Sequence, residues 1–440
     1  MTPLDNACHI AFTAFLPGIA ALAGKTHDAL WEALAPHLPA TVQSDVTPLV
    51  ADNTLQNLIA DAAQIAAGTA KTSANATKLR PLFAAIRLKD DQPAGNTSAH
   101  YPRAPLNPLS IFPDSDSADA DLWQTFLAGL GDIPKSHHNN WPLWLDHFDT
   151  LWQSCTHAIP AATAFGSKPE VSLYDHSKTT AALATALWLR RDAAEDSKEI
   201  LLIQGDFFGI QSFIFAAGRE TNKKAAKLLR GRSFQVSLFA ELAALRVLDA
   251  CALPPTAQIL NAAGKFMIVA PNTPAMHDAL ARVKADINQW LLEHCYGRVA
   301  LGIATHAASC RDFTAKDRFR QLIDDTFAEL ESAKLQRFGL MDAAPAVLPA
   351  AYPAGTCRYD RHLPAGTSKR IPGLAALSAD QITIGAELAR KERLLILTPA
   401  AAVHDAKNTT KLELPIFGYH IAFSQSKFNQ TATSFNTCFS

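Results

Sequence analysis

Residues 199–307 restrict the fold more than any other part of the chain. EILLIQGDFF opens with a continuous apolar run of strand length at 199–203. A long helical pattern follows at about 222–251, with Phe234, Leu238, Leu242, Leu245 and Leu248 on one side. QILNAAGKFMIVAPN (258–272) then reads as two short strands around the tight turn Ala262-Ala263-Gly264-Lys265. An amphipathic stretch covers 274–295, and RVALGIATHA (298–307) is a strand. The order is β-α-β-β-α-β, the split βαβ of ferredoxin-like domains. The fold class expected is therefore α+β: a helical N-terminal domain, a ferredoxin-like central domain and a small helical domain after it.

The flanks fit that division. Residues 1–90 read as short helices, with Leu55, Leu58, Ile59, Ala62, Ala63 and Ala66 forming one buried stripe. Residues 91–120 are dense in Pro, Ser, Asn and Asp and read as a loop excursion. Helices return with Trp123, Phe126, Leu127 and Leu130, then with Trp144, Leu145, Phe148, Leu151 and Trp152. In SLYDHSKTTAALATALWLRR (172–191), Asp175 or Ser177 can cap a helix that is apolar from Ala181 to Leu189. Past 312 we expect helix to about 338, a Pro/Gly/Ala-rich stretch (343–373), a helix near 379–392 and a strand at 393–398. From Phe423 onward no packing pattern is visible, and fraying is expected. The domains are drawn at 1–198, 199–312, 313–398 and a connector at 399–440.

Composition narrows the function classes. At ~150 residues per domain, 440 residues leave room for about three. Forty Lys+Arg against 41 Asp+Glu give a net charge of −1, so any nucleic-acid binding needs a local patch. The seven cysteines (8, 155, 251, 295, 310, 357, 438) show no C-x2-C pair, hence neither a disulfide framework nor a zinc site, and a reducing cytoplasm fits. The apolar run Ala7–Ala23 has no Lys or Arg before Lys25, has Asp5 at its front and is broken by Pro17 and Gly18, so it is read as neither signal peptide nor membrane span.

Several segments, in order and spacing, resemble the large subunit of type III-A (Csm-type) CRISPR interference complexes. They are SLYDHSKTTAALA (172–184), GDFFGIQSFIF (205–215), KLLRGRSFQVSLFAE (227–241), AAGKF (262–266), DQITIGAELA (380–389) and PIFGY (415–419). The resemblance implies an HD-type single-stranded DNase domain, a first palm, a zinc-bearing helical domain, and a second palm with a Gly-Gly-Asp-Asp hairpin. Two ATP molecules lie between the palms, which make cyclic oligoadenylate. Implied partners are the small subunit, the guide-end-binding subunit, guide RNA and target RNA.

Against that pattern the chain departs in several places. Where the family has Leu-Leu-His-Asp, this sequence reads Phe15-Leu16-Pro17-Gly18. Asp61 matches a later acid of the family, but a single ligand cannot hold a metal. His27-Asp28 reads as a capping pair before DALWEAL, and His137-His138 as a polar surface loop. In the palm, Asp206 stands where a first metal-binding acid would sit, yet the hairpin supplies Lys265 and no acid. Nucleotide-binding candidates are Asp206, Gly209, Arg230, Arg232, Gly264 and Lys265, with ATP the expected ligand and a bound divalent metal not expected. The bland alternatives stay open: Asp206 as a structural acid of the 207–210 turn, Gly264 as a plain turn residue, Lys265 as solvated. Lys223, Lys224, Lys227, Arg230 and Arg232 form the densest basic cluster, suited to ATP phosphates, to RNA backbone, or to a solvated helix face. The zinc module retains Cys357 and His362 alone, so zinc is not expected. The resemblance stops after PIFGY, so a truncated or split second palm is expected. The function expected is a scaffold and ATP-binding role for the first palm. The alternatives are an enzyme half completed by a separately encoded second palm, or an interaction module outside CRISPR.

Overall fold

A computed structural model of the chain describes residues 2–67, 78–85, 99–114, 119–161, 171–192, 198–336, 338, 349–398 and 409–425. The N-terminal region is helical: α1 (Pro3–Ala23), α2 (His27–Leu34), the single-turn α3 (Val42–Asp45) and α4 (Thr47–Val50), α5 (Asn53–Ala67), α6 (Leu122–Asp132), α7 (Trp141–Thr156) and α8 (Leu173–Arg190). Thr2 and Asp5 close a capping box at the start of α1. Pro17 and Gly18 do not interrupt this helix, against the sequence reading. Gly18 sits against α8, where an added Cβ would lie 2.6 Å from Ser177 Oγ. α1 is long and apolar enough to cross a membrane, but 61% of its most apolar window is buried in the protein. Phe12, Phe15, Phe126, Trp144, Phe148 and Trp152 fill the core beneath it, mostly edge to face.

Three local expectations need correcting here. α8 begins one residue after Ser172, whose hydroxyl accepts from Asp175 N–H; Asp175 lies in the first turn and Ser177 is interior. His137 is buried, not on the surface, and its ring stacks on His147 at 4.8 Å between centroids. His27 and Asp28 form the first turn of α2, with Thr26 at the cap position.

The central sheet contains β1 (Ile200–Phe208), β2 (Gln258–Ala262), β3 (Lys265–Pro271) and β4 (Ala300–Ala308), in the antiparallel order β2-β3-β1-β4. Between the strands lie α9 (Ile210–Ile214), α10 (Ala225–Ala250) and α11 (Pro274–Cys295). That is the split βαβ order the sequence predicts. Alternation along β1 gives the sheet two faces. Leu201, Ile203 and Phe207 join the core under α10 and α11, while Ile200 and Leu202 join the core of the N-terminal helices. The sheet and the helical region therefore share packing across residue 199. After β4, α12 (Cys310–Thr314) leads into α13 (Lys316–Leu335), which packs back on β4 and β1.

The C-terminal part contains α14 (Ala376–Glu387), β5 (Arg393–Leu397), β6 (Thr409–Lys411) and β7 (His420–Ser424). The three strands form an antiparallel sheet, β5-β7-β6. Phe423, where fraying was expected, is 2% exposed in β7: it pairs with Leu394 and joins the central core. The strand is too short and too far from its partners in sequence for a local pattern to reveal it. The tail from 426 lies outside the described residues, as do 91–98 and 115–118 of the loop excursion.

Where the helical region meets the central sheet, Lys178 Nζ donates to Asp149 at 2.6 Å and to the Tyr174 hydroxyl at 3.0 Å. Asp146 faces this group from α7, and Glu241 faces it from α10, where it accepts from Asn261. Withdrawal from water, then repulsion from Glu241 and Asp149, pushes the Asp146 carboxyl up to about 7, with Lys178 opposing. Burial also pushes the Glu241 carboxyl up. The folded chain thus holds a proton on Asp146 that the unfolded chain releases near pH 4. Stability contributed here is present below pH 4 and is lost as pH rises to about 7. Urea melts at pH 5 and pH 8 should show Asp146→Asn flattening this decline, with a gain over wild type of roughly 1–3 kcal/mol at pH 8. Equal pH dependence in the two proteins would refute the assignment.

Candidate nucleotide site

The site grows from the end of β1. Asp206 and Lys265 are directly opposed in the β1–β3 register. Between them and the hairpin turn, Ala263 (φ +53°) and Gly264 (φ +83°) are both left-handed, the geometry of a two-residue type I′ connection. Gly264 C=O accepts from Phe207 N–H at 3.0 Å, which fixes the turn beside the strand end. Gly209, φ +81°, starts α9, and its α-carbon lies against the Arg298 carbonyl, where a Cβ would come within 2.0 Å.

Asp206 is 4% exposed and carries two ammonium groups. Lys334 Nζ from α13 lies 2.7 Å from Oδ2, and Lys265 Nζ lies 3.6 Å from the same oxygen. Lys334 also pairs with Glu331 at 2.6 Å. Burial alone would lower the Lys334 pKa, but hydrogen bonds to Asp206 and Glu331 outweigh it and raise it. The carboxylate therefore faces two fixed positive charges. Lys265, 44% exposed at its side chain, is the more accessible partner; Lys334, at 19%, is the more covered one. Nothing in the local pattern marked Lys334, because α13 reaches Asp206 through tertiary packing alone.

The other candidates separate from this centre. Arg232 is 1% exposed. It donates to Gln381 Oε1 (3.0 Å) and to the carbonyls of Ile214 (3.3 Å), Ala216 (2.6 Å) and Tyr359 (3.0 Å). Those bonds make it a tie between α10, the segment after α9, and α14. Arg230 donates to Gly385 C=O at 2.9 Å. The two glycines beside these arginines bring the helices together: a Cβ on Gly231 would sit 1.9 Å from Gln381 C=O, and one on Gly385 1.9 Å from Lys227 C=O. KLLRGRSFQ and DQITIGAELA are thus the two halves of one helix contact.

Among the described residues the candidate metal ligands stand apart. Pro17 and Gly18 offer no ligand, and Asp61 is exposed on α5. Cys357 is buried with Sγ 3.5 Å from Ser378 Oγ, while His362 is exposed. Among the described residues no group of three or more His, Cys, Asp or Glu could hold a metal ion. At Asp206 the charge partners are two lysines, Lys265 and Lys334.

Comparison with known proteins assigns the architecture. A family model described as Csm1 subunit domain B matches residues 199–345. A type III-A CRISPR single-strand-specific deoxyribonuclease, Cas10/Csm1, of Thermococcus onnurineus is 34% identical over 180 residues, 38% of this chain and 23% of that protein. Its counterpart in Methanocaldococcus jannaschii is 29% identical over 196 residues, 37% of this chain and 24% of that one. The chain is a distant Cas10/Csm1 homologue. It carries Csm1 domain B. A solved Csm1–Csm4 subcomplex of the type III-A interference complex superposes with TM-score 0.65 over 97% of this chain and 56% of that one, at 20% identity, so the Csm1-like fold is shared. A Csm1–Csm4 cassette in complex with one ATP superposes equally well, at 18% identity. The matched segments thus take up about a quarter of the curated relatives, and this chain covers about half of the solved ones.

Lys334→Met should leave Asp206 buried with Lys265 as its remaining partner and cost about 1–3 kcal/mol of stability in urea melts. Adding Asp206→Asn should recover most of that loss, since the charge left uncompensated is then gone. An additive double mutant would show that the two groups do not interact.

Proposed function

We propose that this chain is the palm-bearing part of a type III-A CRISPR large subunit, and that it binds ATP and positions it without performing phosphate chemistry alone. The observation that carries this reading is the lysine-held Asp206 at the end of β1, beside a hairpin with no acid. Two-metal nucleotidyl transfer needs several convergent carboxylates on metal. Here one carboxylate is neutralised by two ammonium groups. The residues do fit a polyphosphate: Gly264 keeps the turn low, and exposed Lys265 can swing from Asp206 to a phosphate oxygen while Lys334 keeps the acid satisfied.

Relatives support ATP as the ligand and a Csm4-type subunit as the partner, because solved Csm1–Csm4 cassettes carry ATP or a non-hydrolysable analogue. On this reading the chain works in the cytoplasm within the interference complex, and guide and target RNA are its neighbours there. On this reading residues 1–198 are HD-like helices, 199–312 the first palm, and 313–398 a helical module with a metal-free Cys357/His362 region, with 399–440 leading on from it. The same reading gives the chain no DNase activity; Mn²⁺-dependent cleavage of single-stranded DNA that is lost on Asp61→Ala would refute that part.

Calorimetry on the whole chain tests the nucleotide role. ATP should bind in EDTA as well as in Mg²⁺, and Lys265→Ala should weaken binding about tenfold, the ~1.4 kcal/mol typical of a lost charged hydrogen bond. No heat of binding at millimolar ATP with a correctly folded protein would end the proposal.

A further inference from the structure

PIFGY (415–419) lies outside the nucleotide site and forms a tight turn of its own. Ile416 and Tyr419 exchange two backbone hydrogen bonds of 2.9 Å around Phe417 and Gly418. Phe417 takes φ +49° and Gly418 φ +91°. The left-handed region is unfavourable for a bulky aromatic residue, so packing has to hold Phe417 there. Trp290 supplies it: the two rings meet edge to face at 5.0 Å between centroids, and Trp290 Nε1–H donates to Pro415 C=O at 2.9 Å. Phe239 packs on the same ring at 5.8 Å.

The turn held in this way closes one side of a cavity of about 190 Å³. Leu4 of α1, Leu245 and Leu248 of α10, Leu253 and Phe417 give it apolar walls, so the N-terminal helices, α10 and the C-terminal part all contribute. Its polar lining includes Tyr419, Arg246 and Asp249. Tyr419 is 6% exposed, yet among the described residues nothing hydrogen-bonds its hydroxyl. A buried hydroxyl ordinarily has a partner. Burial pushes the pKa of this one up, the Asp249 carboxylate adds to the rise and Arg246 opposes it, so both charges act on the hydroxyl. Arg246 and Asp249 stand 3.7 Å apart, an ion pair looser than a hydrogen bond, and both reach solvent.

We propose that this cavity binds a small neutral aromatic alcohol, a molecule of the phenol class, with its ring between the leucines and Phe417 and its hydroxyl accepting from Tyr419 and donating to Asp249. The size fits, since an apolar cavity of ~150 Å³ holds benzene. The charge fits as well: an anion would meet the Asp249 carboxylate and a cation the Arg246 guanidinium, whereas a neutral hydroxyl gives the Tyr419 O–H its missing acceptor. Apolar walls with a few convergent polar groups, at a junction between parts of the fold, are the usual form of a small-molecule site. Asp206, Lys265 and Lys334 do not line the cavity, so the inference stands apart from the nucleotide reading. A ligand seated here touches all three parts of the fold and stabilises them together.

Calorimetric titration of the whole chain with p-cresol, toluene and 4-methylbenzoate tests it. p-Cresol should bind with a dissociation constant of about 0.1–1 mM, a normal yield for a ligand of that size. Toluene, which lacks the hydroxyl, should bind roughly three- to tenfold more weakly, and Tyr419→Phe should weaken p-cresol by a similar factor. 4-Methylbenzoate, its charged counterpart, should bind more weakly than either. Leu245→Trp should fill the cavity and abolish the heat of p-cresol binding. Circular dichroism melts confirm that each variant folds, and p-cresol should raise the melting temperature of the wild type but not of Leu245→Trp. No heat with millimolar p-cresol overturns the proposal. So does toluene or 4-methylbenzoate binding as tightly as p-cresol, p-cresol binding untouched by both substitutions, or displacement of p-cresol by ATP, which would put the nucleotide here instead.

Discussion

The contact between α10 and α14 is the constraint on which the rest depends. Two glycines, Gly231 and Gly385, let the helix backbones approach until each leaves no room for a Cβ against the other's carbonyl. At that distance buried polar groups must be satisfied across the seam, and they are. Arg232 spans four acceptors, Gln381 also donates to Gln235 at 3.1 Å, and Arg230 closes on Gly385. Apolar packing alone would allow the helices to slide. The fixed geometry of the guanidinium sets one register and carries it outward to the segments after α9 and around Tyr359. One helix crossing thus positions the palm against the C-terminal sheet and shapes the surface beside it.

Asp206 shows how a buried acid at a strand end is held. A buried carboxylate needs a compensating charge. With no metal-binding partners in the hairpin, the compensation comes from Lys265 across the strand pair and Lys334 from α13. The strand end thus carries a buried charge pair with one half-exposed ammonium group, Lys265, beside it. The same logic runs at the seam with the N-terminal helices. There Lys178 is outnumbered by Asp146, Asp149 and Glu241, and withdrawal from water leaves Asp146 holding its proton near neutrality.

Much of the architecture was legible because it is written in period and punctuation. The long helix at 222–251, the hairpin around Gly264 and the closing strand at 298–307 lie within three residues of their observed bounds. What failed did so for physical reasons. Pro17 was read as a break, yet α1 continues through it because the helix is held along its length by the aromatic core and α8. His137 stands in a polar stretch, yet its ring is covered by His147. Phe423 follows no pattern its neighbours share, yet β5 and β6 flank it. In each case a partner distant in sequence supplied the burial.

By itself the sequence determined the β-α-β-β-α-β core and the positions of its hairpin and helices. These follow from hydrophobic spacing and from side-chain chemistry, which are local properties. Tertiary structure alone decided that Lys334 meets Asp206, that Arg232 turns inward, and that three acids share one lysine at the helical seam. Each of these is a pairing of charges or ring faces across elements far apart in the chain. Such pairings depend on how helices cross and sheets stack, and no short window of residues contains that information.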